Sequence, residues 1–170
     1  ANVNDVTAGY WNPSALVNQK NNLEVALMHS EYFAGIAAYE YGGLSFKLDS
    51  ISTLGVSFLR FGVDDIPNTI DLVDANGNFD YNRITSFSSA DNAFLFSYAR
   101  VMGPKGLSLG GNIKVIYRKV GDFASAIGFG ADLSASYRKK NWLFGAMIRD
   151  VTNTFNAWSF NTEDLEEVYL

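Results

Sequence analysis

Residues 107–118 read LSLGGNIKVIYR, and this stretch decides the fold class because apolar side chains alternate along it with polar or small ones. A period of two places the apolar side chains on one face of a β-strand and the others on the opposite face. Residues 127–137, IGFGADLSASY, repeat the pattern. Turn residues follow each stretch, which is typical of antiparallel hairpins. The sequence therefore predicts an all-β, antiparallel chain.

The same alternation predicts about seven strands in total. A change of apolar parity through Phe61, within residues 59–63, is interpreted as a bulge or as the top of the barrel wall. The other predicted strands cover 23–28, 36–48, 54–63, 92–101 and 142–151. Three predicted connections are short (49–52, 102–106 and 138–141), whereas those at 64–90, 119–125 and after Val151 are longer, the last with a short helix near 163–168.

Composition favours a transmembrane β-barrel over a soluble β-sandwich. The chain is 48% hydrophobic and 18% charged, yet no run approaches the ~20 apolar residues of a membrane helix. Alternating connection lengths and strands with one apolar and one polar face are typical of outer-membrane barrels. Lys114 would be costly in a sandwich core, although a soluble sheet can show the same alternation. The predicted lipid-facing side chains are Phe94, Phe96, Leu109, Ile113, Val115, Phe129 and Leu133.

Seven strands are too few to close such a barrel, because bacterial single-chain barrels have even strand numbers from about 8 upwards. Either additional chain or another subunit would complete the barrel. We expect additional chain, with residues 1–170 forming the N-terminal half of a larger barrel. The chain starts at Ala1 without an initiator Met. This start predicts a mature or partial protein of the Gram-negative outer membrane whose signal peptide has been removed.

Composition and motif spacing argue against an enzyme and against a resident metal. Absence of cysteine excludes disulfides and thiolate sites, His29 is the single histidine, and a net charge of −5 argues against a nucleic-acid partner. In the acidic stretch 71–80, placing Gly77 at position six of a calcium loop puts Leu72 at position one and Arg83 at position twelve, so the motif fails. A solvated loop is favoured over a looser calcium site. We predict no cofactor, although a lipid or detergent molecule could occupy the lumen.

Three segments carry a resemblance to a known family. Residues 9–16, GYWNPSAL, resemble the YWNPAAL signature near the start of the PorV/PorQ family, with Ser14 where the family more often has Ala or Gly. Residues 84–100 are similar to the family's loop-to-strand segment, and residues 128–151 to its recurrent hairpin. Members of this family are FadL-like outer-membrane barrels of Bacteroidetes-type bacteria, associated with the type IX secretion system.

The resemblance implies that residues 1–22 form a segment that blocks the lumen, with Tyr10, Trp11, Asn12, Pro13 and Leu16 as its motif. It also implies an accessory, cargo-binding or scaffold role in type IX protein secretion or a related complex.

The expected partners are membrane lipids or lipopolysaccharide and other outer-membrane or secreted proteins. The proteins would be recognised through an extracellular loop at 64–90. The alternative is a FadL-like transporter of hydrophobic small molecules, which predicts an apolar pocket inside the barrel and a lateral opening. The candidate partner-binding residues of the loop are Asp71, Asp74, Asn76, Asn78, Phe79 and Asp80.

Overall fold

The structure, a computed structural model, describes residues 3–73, 77–103, 106–153 and 155–161. The helices described are α1 (Ala8–Trp11) and the 3₁₀ helices Pro13–Asn18, Ile70–Leu72 and Tyr81–Arg83. The strands are β1 (Leu23–Tyr32), β2 (Ala37–Lys47), β3 (Ser52–Asn68), β4 (Thr85–Met102), β5 (Leu107–Val120), β6 (Ala124–Lys139), β7 (Trp142–Ile148) and β8 (Phe155–Phe160).

The strands form one antiparallel sheet in the order β1 to β7, with β8 also paired to β6, and the sheet curls into a half-barrel. Each of the first six strands pairs with the next one along the chain, as tight hairpin connections favour. The prediction of an all-β antiparallel chain is confirmed. A single curled sheet differs from the two packed layers of the sandwich alternative.

Two short strands share the last edge of the sheet. β7 pairs with residues 133–139 of β6 and β8 with residues 124–129. Both therefore lie along the same edge of β6, and the pairing is interrupted from residue 149 onwards, before β8 begins. The prediction that the chain after Val151 is a loop is wrong at β8. The sequence of β8, FNAWSF, has aromatic residues at both parities, so alternation gave no signal. The helix predicted near 163–168 lies outside the described residues.

Two ends of the sheet can be named from the connections. The turn end carries residues 48–51, 103–106 and 140–141, and the loop end carries 33–36, 69–84 and 121–123. The strands extend into the predicted long loop, which is therefore 69–84 rather than 64–90, and the predicted connection 119–125 has only three residues. Ile66 pairs with Phe87 and Asn68 with Thr85, because backbone pairing proceeds whatever the polarity of the side chains.

The predicted bulge at residues 59–63 is wrong in position. β3 keeps its register with β2 and β4 through Val63, and the register shifts between Val63 and Ile66, where Asp65 has a φ of 56°. Phe61 shares the inner parity of buried Leu59 but is exposed, with its ring 6.4 Å from that of Tyr32. The apparent change of parity reflects an apolar residue on the inner face, not a bulge.

The two faces of the sheet differ in chemistry. On the inner face, small polar side chains such as Ser45, Thr53, Ser57 and Ser97 are almost fully buried. On the outer face, Val115 is half-buried between Phe94 and Phe129 of the neighbouring strands. The other predicted lipid-facing side chains are between 43% and 66% exposed: Phe94, Phe96, Leu109, Ile113, Phe129 and Leu133. No helix among the described residues is long and apolar enough to cross a lipid bilayer.

Candidate functional site

The N-terminal segment, defined as residues 3–22, lies against the inner face of β3, β4, β5 and β6. Asn12 has an extended backbone (φ −165°, ψ 89°), and Pro13 starts the following 3₁₀ helix. This geometry is expected, because proline disfavours helical conformation in the residue before it and suits the first helical turn itself. Leu16 of this helix is completely buried in a small apolar cluster with Ala8, Ala15 and Ala99.

Hydrogen bonds attach the Asn12–Ser14 stretch to β6. The Asn12 amide Nδ2 donates to Ser136 Oγ at 3.1 Å, and the Ser14 backbone N donates to Ser134 Oγ at 2.8 Å. The Ser14 hydroxyl donates to Asn12 Oδ1 at 2.7 Å and lies 2.6 Å from Ser136 Oγ. Buried polar groups need such partners, so the serine-lined wall and the polar segment satisfy each other.

Close packing of this stretch requires a glycine in β5. A Cβ atom added at Gly110 would lie 2.6 Å from the carbonyl carbon of Pro13 and 2.7 Å from Ser14 Cα. Both contacts are shorter than carbon atoms tolerate, and both are with backbone, which cannot rotate away. Gly110 therefore allows the N-terminal segment to rest directly on the backbone of the wall, as a strand glycine can.

A charged cluster lies beside the N-terminal segment. Lys114 Nζ is 2.8 Å from Asp132 Oδ1 and 2.7 Å from Asp150 Oδ1, and the side chains of Lys114 and Asp132 are only 11% and 3% exposed. The backbone N of Asp150 donates to Asp132 Oδ1 at 2.9 Å. Asp150 belongs to the interruption between β7 and β8 and has a φ of 56°. The interruption thus brings a second carboxylate to the lysine.

The cluster continues to the carboxyl end of α1, whose last carbonyl groups lack partners within the helix. Asn112 Nδ2 donates to Gly9 O at 2.9 Å and lies 3.3 Å from Asp132 Oδ2. Arg149 Nη2 donates to Tyr10 O at 2.9 Å, and its guanidinium carbon lies 4.6 Å from the centre of the Tyr10 ring. Polar groups of β5, β6 and the interruption therefore hold α1 in place.

An apolar cavity of about 620 Å³ lies between the N-terminal segment and strands β1 and β2. Its lining includes Tyr10, Trp11, Met28, Tyr39 and Tyr41. The Tyr41 hydroxyl donates to Val6 O at 3.3 Å and shares a 3.1 Å hydrogen bond with Ser57 Oγ. The walls of the cavity are thus largely aromatic carbon, and the Tyr41 hydroxyl already has hydrogen-bond partners. Such a surface suits an apolar molecule.

The acidic loop lies at the loop end. Asp71, Asn78 and Phe79 are exposed, and Asp80 Oδ1 accepts a 3.1 Å hydrogen bond from Asn82 N at the start of a 3₁₀ helix. Asp74 and Asn76 lie outside the described residues. Across residues 3–73, 77–103, 106–153 and 155–161, no group of three or more His, Asp or Glu side chains could hold a metal ion.

The predicted motif residues fall into two environments. Asn12, Pro13 and Leu16 are buried against the wall, whereas Trp11 is 53% exposed and Tyr10 lies at the boundary of the aromatic cavity. Sequence reasoning missed Asp132, Asp150, Arg149, Asn112, Ser134 and Ser136 as anchors of this segment. A signal existed for Asp132, a carboxylate at an inward position among glycines and serines.

No model of a protein family matches the chain, and no curated protein matches it. The resemblance to the PorV/PorQ family consequently stays an expectation carried by the three segments named for it.

Proposed function

We propose that this half-barrel is part of the wall of an outer-membrane β-barrel. The observation that carries the proposal is the outward position of the apolar side chains on β4, β5 and β6. Their band on β5 runs from Leu107 to Tyr117. Eleven strand residues span about 36 Å, or about 28 Å across a bilayer if the strand is tilted by about 40°. That height matches the apolar band of about 25 Å typical of such barrels.

Both edges of the half-barrel would need partners in a bilayer. β1 is exposed along most of its length, and β7 and β8 form the opposite edge. Unpaired backbone groups cost several kcal/mol each in hydrocarbon. We propose that further strands pair with both edges and complete the wall.

The role we propose is recognition of other proteins rather than conduction or chemistry. It would be an accessory, cargo-binding or scaffold role in type IX protein secretion or a related outer-membrane complex. Support comes from the N-terminal segment, which hydrogen bonds attach inside the half-barrel and which would obstruct a lumen. The connection 69–84 presents exposed Phe79 and Tyr81 to possible partners, and aromatic side chains are frequent binding hot spots.

The test is purification of the full-length protein from native outer membranes in mild detergent, followed by identification of co-purifying proteins. The expected result is stable secretion-complex or cargo proteins. A Phe79→Ser/Tyr81→Ser variant should lose them, and the matched pair Phe33→Ser/Ile36→Ser, two exposed apolar residues of another loop-end connection, should retain them. Recovery in the aqueous fraction without detergent would overturn the membrane proposal. Recovery from the membrane without partner proteins would overturn the recognition role.

A second function is favoured by the aromatic cavity: transport of hydrophobic small molecules. Trp11 borders the cavity, so binding of a fatty acid should change tryptophan fluorescence. A Met28→Trp variant, which fills the cavity, should abolish that change, whereas Met147→Trp on β7 should not. Fatty acid recovered with the purified protein, without partner proteins, would favour transport over recognition.

A further inference from the structure

A groove of about 520 Å³ crosses the outer face of β4, β5 and β6 near the turn end. Its origin is visible in the pairing. Leu54, Tyr98, Gly111, Leu133 and Ile148 form one row of directly paired residues across five strands. Gly111 is the single member of this row without a side chain. Large side chains on both sides of Gly111 therefore enclose an empty position.

The next row deepens the groove. Ile113 pairs with Ala131, so the position diagonal to Gly111 also carries only a methyl group. Phe96 and Tyr98 line one side of the groove and Leu133 the other. The groove is thus a long apolar channel on the face that we propose to contact acyl chains.

One end of the channel is charged. Arg100 lines the groove, pairs with Leu109, and lies two residues before the end of β4. Among the described residues, no carboxylate lies within ion-pair distance of Arg100. The nearby acidic group is Asp49 at the turn end, whose carboxyl pKa Arg100 helps to lower. The strand distance from Arg100 to Phe96 is about 13 Å. A cation is thus placed at one end of an apolar channel long enough for part of an acyl chain.

We propose that this groove is a binding site for one phospholipid, with an acyl chain over Gly111 and Ala131 and the phosphate on Arg100. The inference rests on the proposed barrel, in which short connections face the periplasm. The lipid would then come from the inner leaflet of the outer membrane. Arginine matches phosphate through paired N–H donors, and near a strand end its charged group reaches the headgroup level.

The size of the groove favours a single lipid over a protein. A volume of this order accommodates one small molecule, whereas a stable protein interface needs about 800 Å² from each partner. Aromatic residues at the same end agree with a headgroup region, since the rings of Trp142 and Phe144 stack there with centres 6.2 Å apart, as interfacial aromatic belts do.

The experiment is native mass spectrometry of the full-length protein in detergent with added phosphatidylglycerol. Arg100→Gln removes the charge, and Ala131→Leu fills the channel. Gly111 is avoided because a Cβ there would lie 2.9 Å from the Asp132 carbonyl oxygen. Each variant should lower phosphatidylglycerol binding about tenfold. Arg138→Gln, at the same end but on the inner parity of β6, should bind like wild type.

Two further ligands test the contribution of the phosphate and that of the acyl chains separately. Diacylglycerol with the same acyl chains should bind about tenfold more weakly than phosphatidylglycerol, and glycerol phosphate without acyl chains should not bind measurably. Equal binding of diacylglycerol would overturn the assignment of the phosphate to Arg100. Equal binding of glycerol phosphate would overturn the lipid assignment in favour of a free phosphate.

The same preparation distinguishes failure of this inference from failure of the barrel. A wild-type protein that fractionates in water without detergent would overturn both. A protein that inserts into liposomes but binds phosphatidylglycerol equally with and without Arg100 would overturn only the groove.

Discussion

The inner and outer faces of β5 and β6 differ in how their side chains are held, although both faces belong to the same strands. On the inner face, Asn112 and Asp132 are buried and each has defined hydrogen-bond partners. On the outer face, Ile113 and Leu133 are exposed. A hydrogen bond requires one partner in one geometry, whereas apolar contact tolerates substitution of similar size. Substitutions that remove a single polar group should therefore destabilise the protein on the inner face. On the outer face, only substitutions that change the polarity of the side chain should do so.

The largest effect should come from Lys114→Met on the inner face. Without the Lys114 ammonium group, the carboxylates of Asp132 and Asp150 would lie close together with no positive charge between them. Removing one partner of a buried ion pair costs about 3–5 kcal/mol of unfolding free energy, and the Asp132 side chain that would lose its partner is only 3% exposed. Urea unfolding in lipid vesicles, followed by tryptophan fluorescence, would measure this loss.

The matched control is Lys119→Met, because Lys119 pairs with the exposed Asp122 at 3.1 Å. This variant should unfold at the wild-type urea midpoint. Adding Asp132→Asn to Lys114→Met should recover part of the lost stability. A Lys114→Met protein as stable as wild type would show that the cluster is not a structural anchor.

A smaller effect is expected from Ile113→Arg on the outer face. An arginine near the middle of a lipid-facing band costs about 2–4 kcal/mol of unfolding free energy. Ile113→Leu should leave the unfolding free energy nearly unchanged, since it conserves polarity. If arginine proved harmless in vesicles, Ile113 would not face acyl chains and the contrast between the two faces would fail.

Next in size is Ser14→Ala in the N-terminal segment. It removes the hydroxyl that bonds to Asn12 and contacts Ser136, and an unsatisfied buried polar group costs about 1–3 kcal/mol. Limited proteolysis should then cleave the N-terminal segment faster. Thr7→Ala, whose hydroxyl donates to the exposed Asp5, is the control and should leave the cleavage rate unchanged. Equal cleavage of the Ser14→Ala and wild-type proteins would contradict this anchoring.

The smallest effect is expected for Asp49, which lies in a connection at the turn end and belongs to neither face of the sheet. The backbone N–H of Ile51 donates to Asp49 at 2.8 Å and lowers the pKa of that carboxyl, with smaller contributions from Ser52 and Arg100. A lowered folded-state pKa means that Asp49 stabilises the fold above its unfolded pKa, and that this contribution is lost as pH falls through the folded value. Below about pH 4, Asp49→Asn should flatten the pH dependence of the unfolding midpoint slightly. An unchanged pH profile would exclude the contribution.

The faces of the strands could be predicted from the sequence because the face of a side chain depends only on its position along the strand. The positions at which the strands end could not be predicted from the sequence. Ile66 and Phe87 pair within a stretch whose aspartates and serines resemble a loop. Their pairing depends on the neighbouring strand, which local composition does not reveal.

Of the candidate site, only the Asn12–Pro13 motif could be identified from the sequence. Asn12–Pro13 stands out as a short motif, and the structure buries it. The cluster of Lys114, Asp132 and Asp150 could not be assembled from sequence, because it depends on the register of β5 against β6. It also depends on an interruption that turns Asp150 inwards.

The bonds from Asn12 and Ser14 to Ser134 and Ser136 span 120 or more residues, and they give the N-terminal segment a part in assembly. A shift of β6 by one residue would turn both serines outwards and place Leu133 and Ala135 under the polar segment. Only the native register of β6 places hydrogen-bond partners opposite Asn12 and Ser14. The first residues of the chain thus stabilise the native register of a strand that follows them by 120 or more residues.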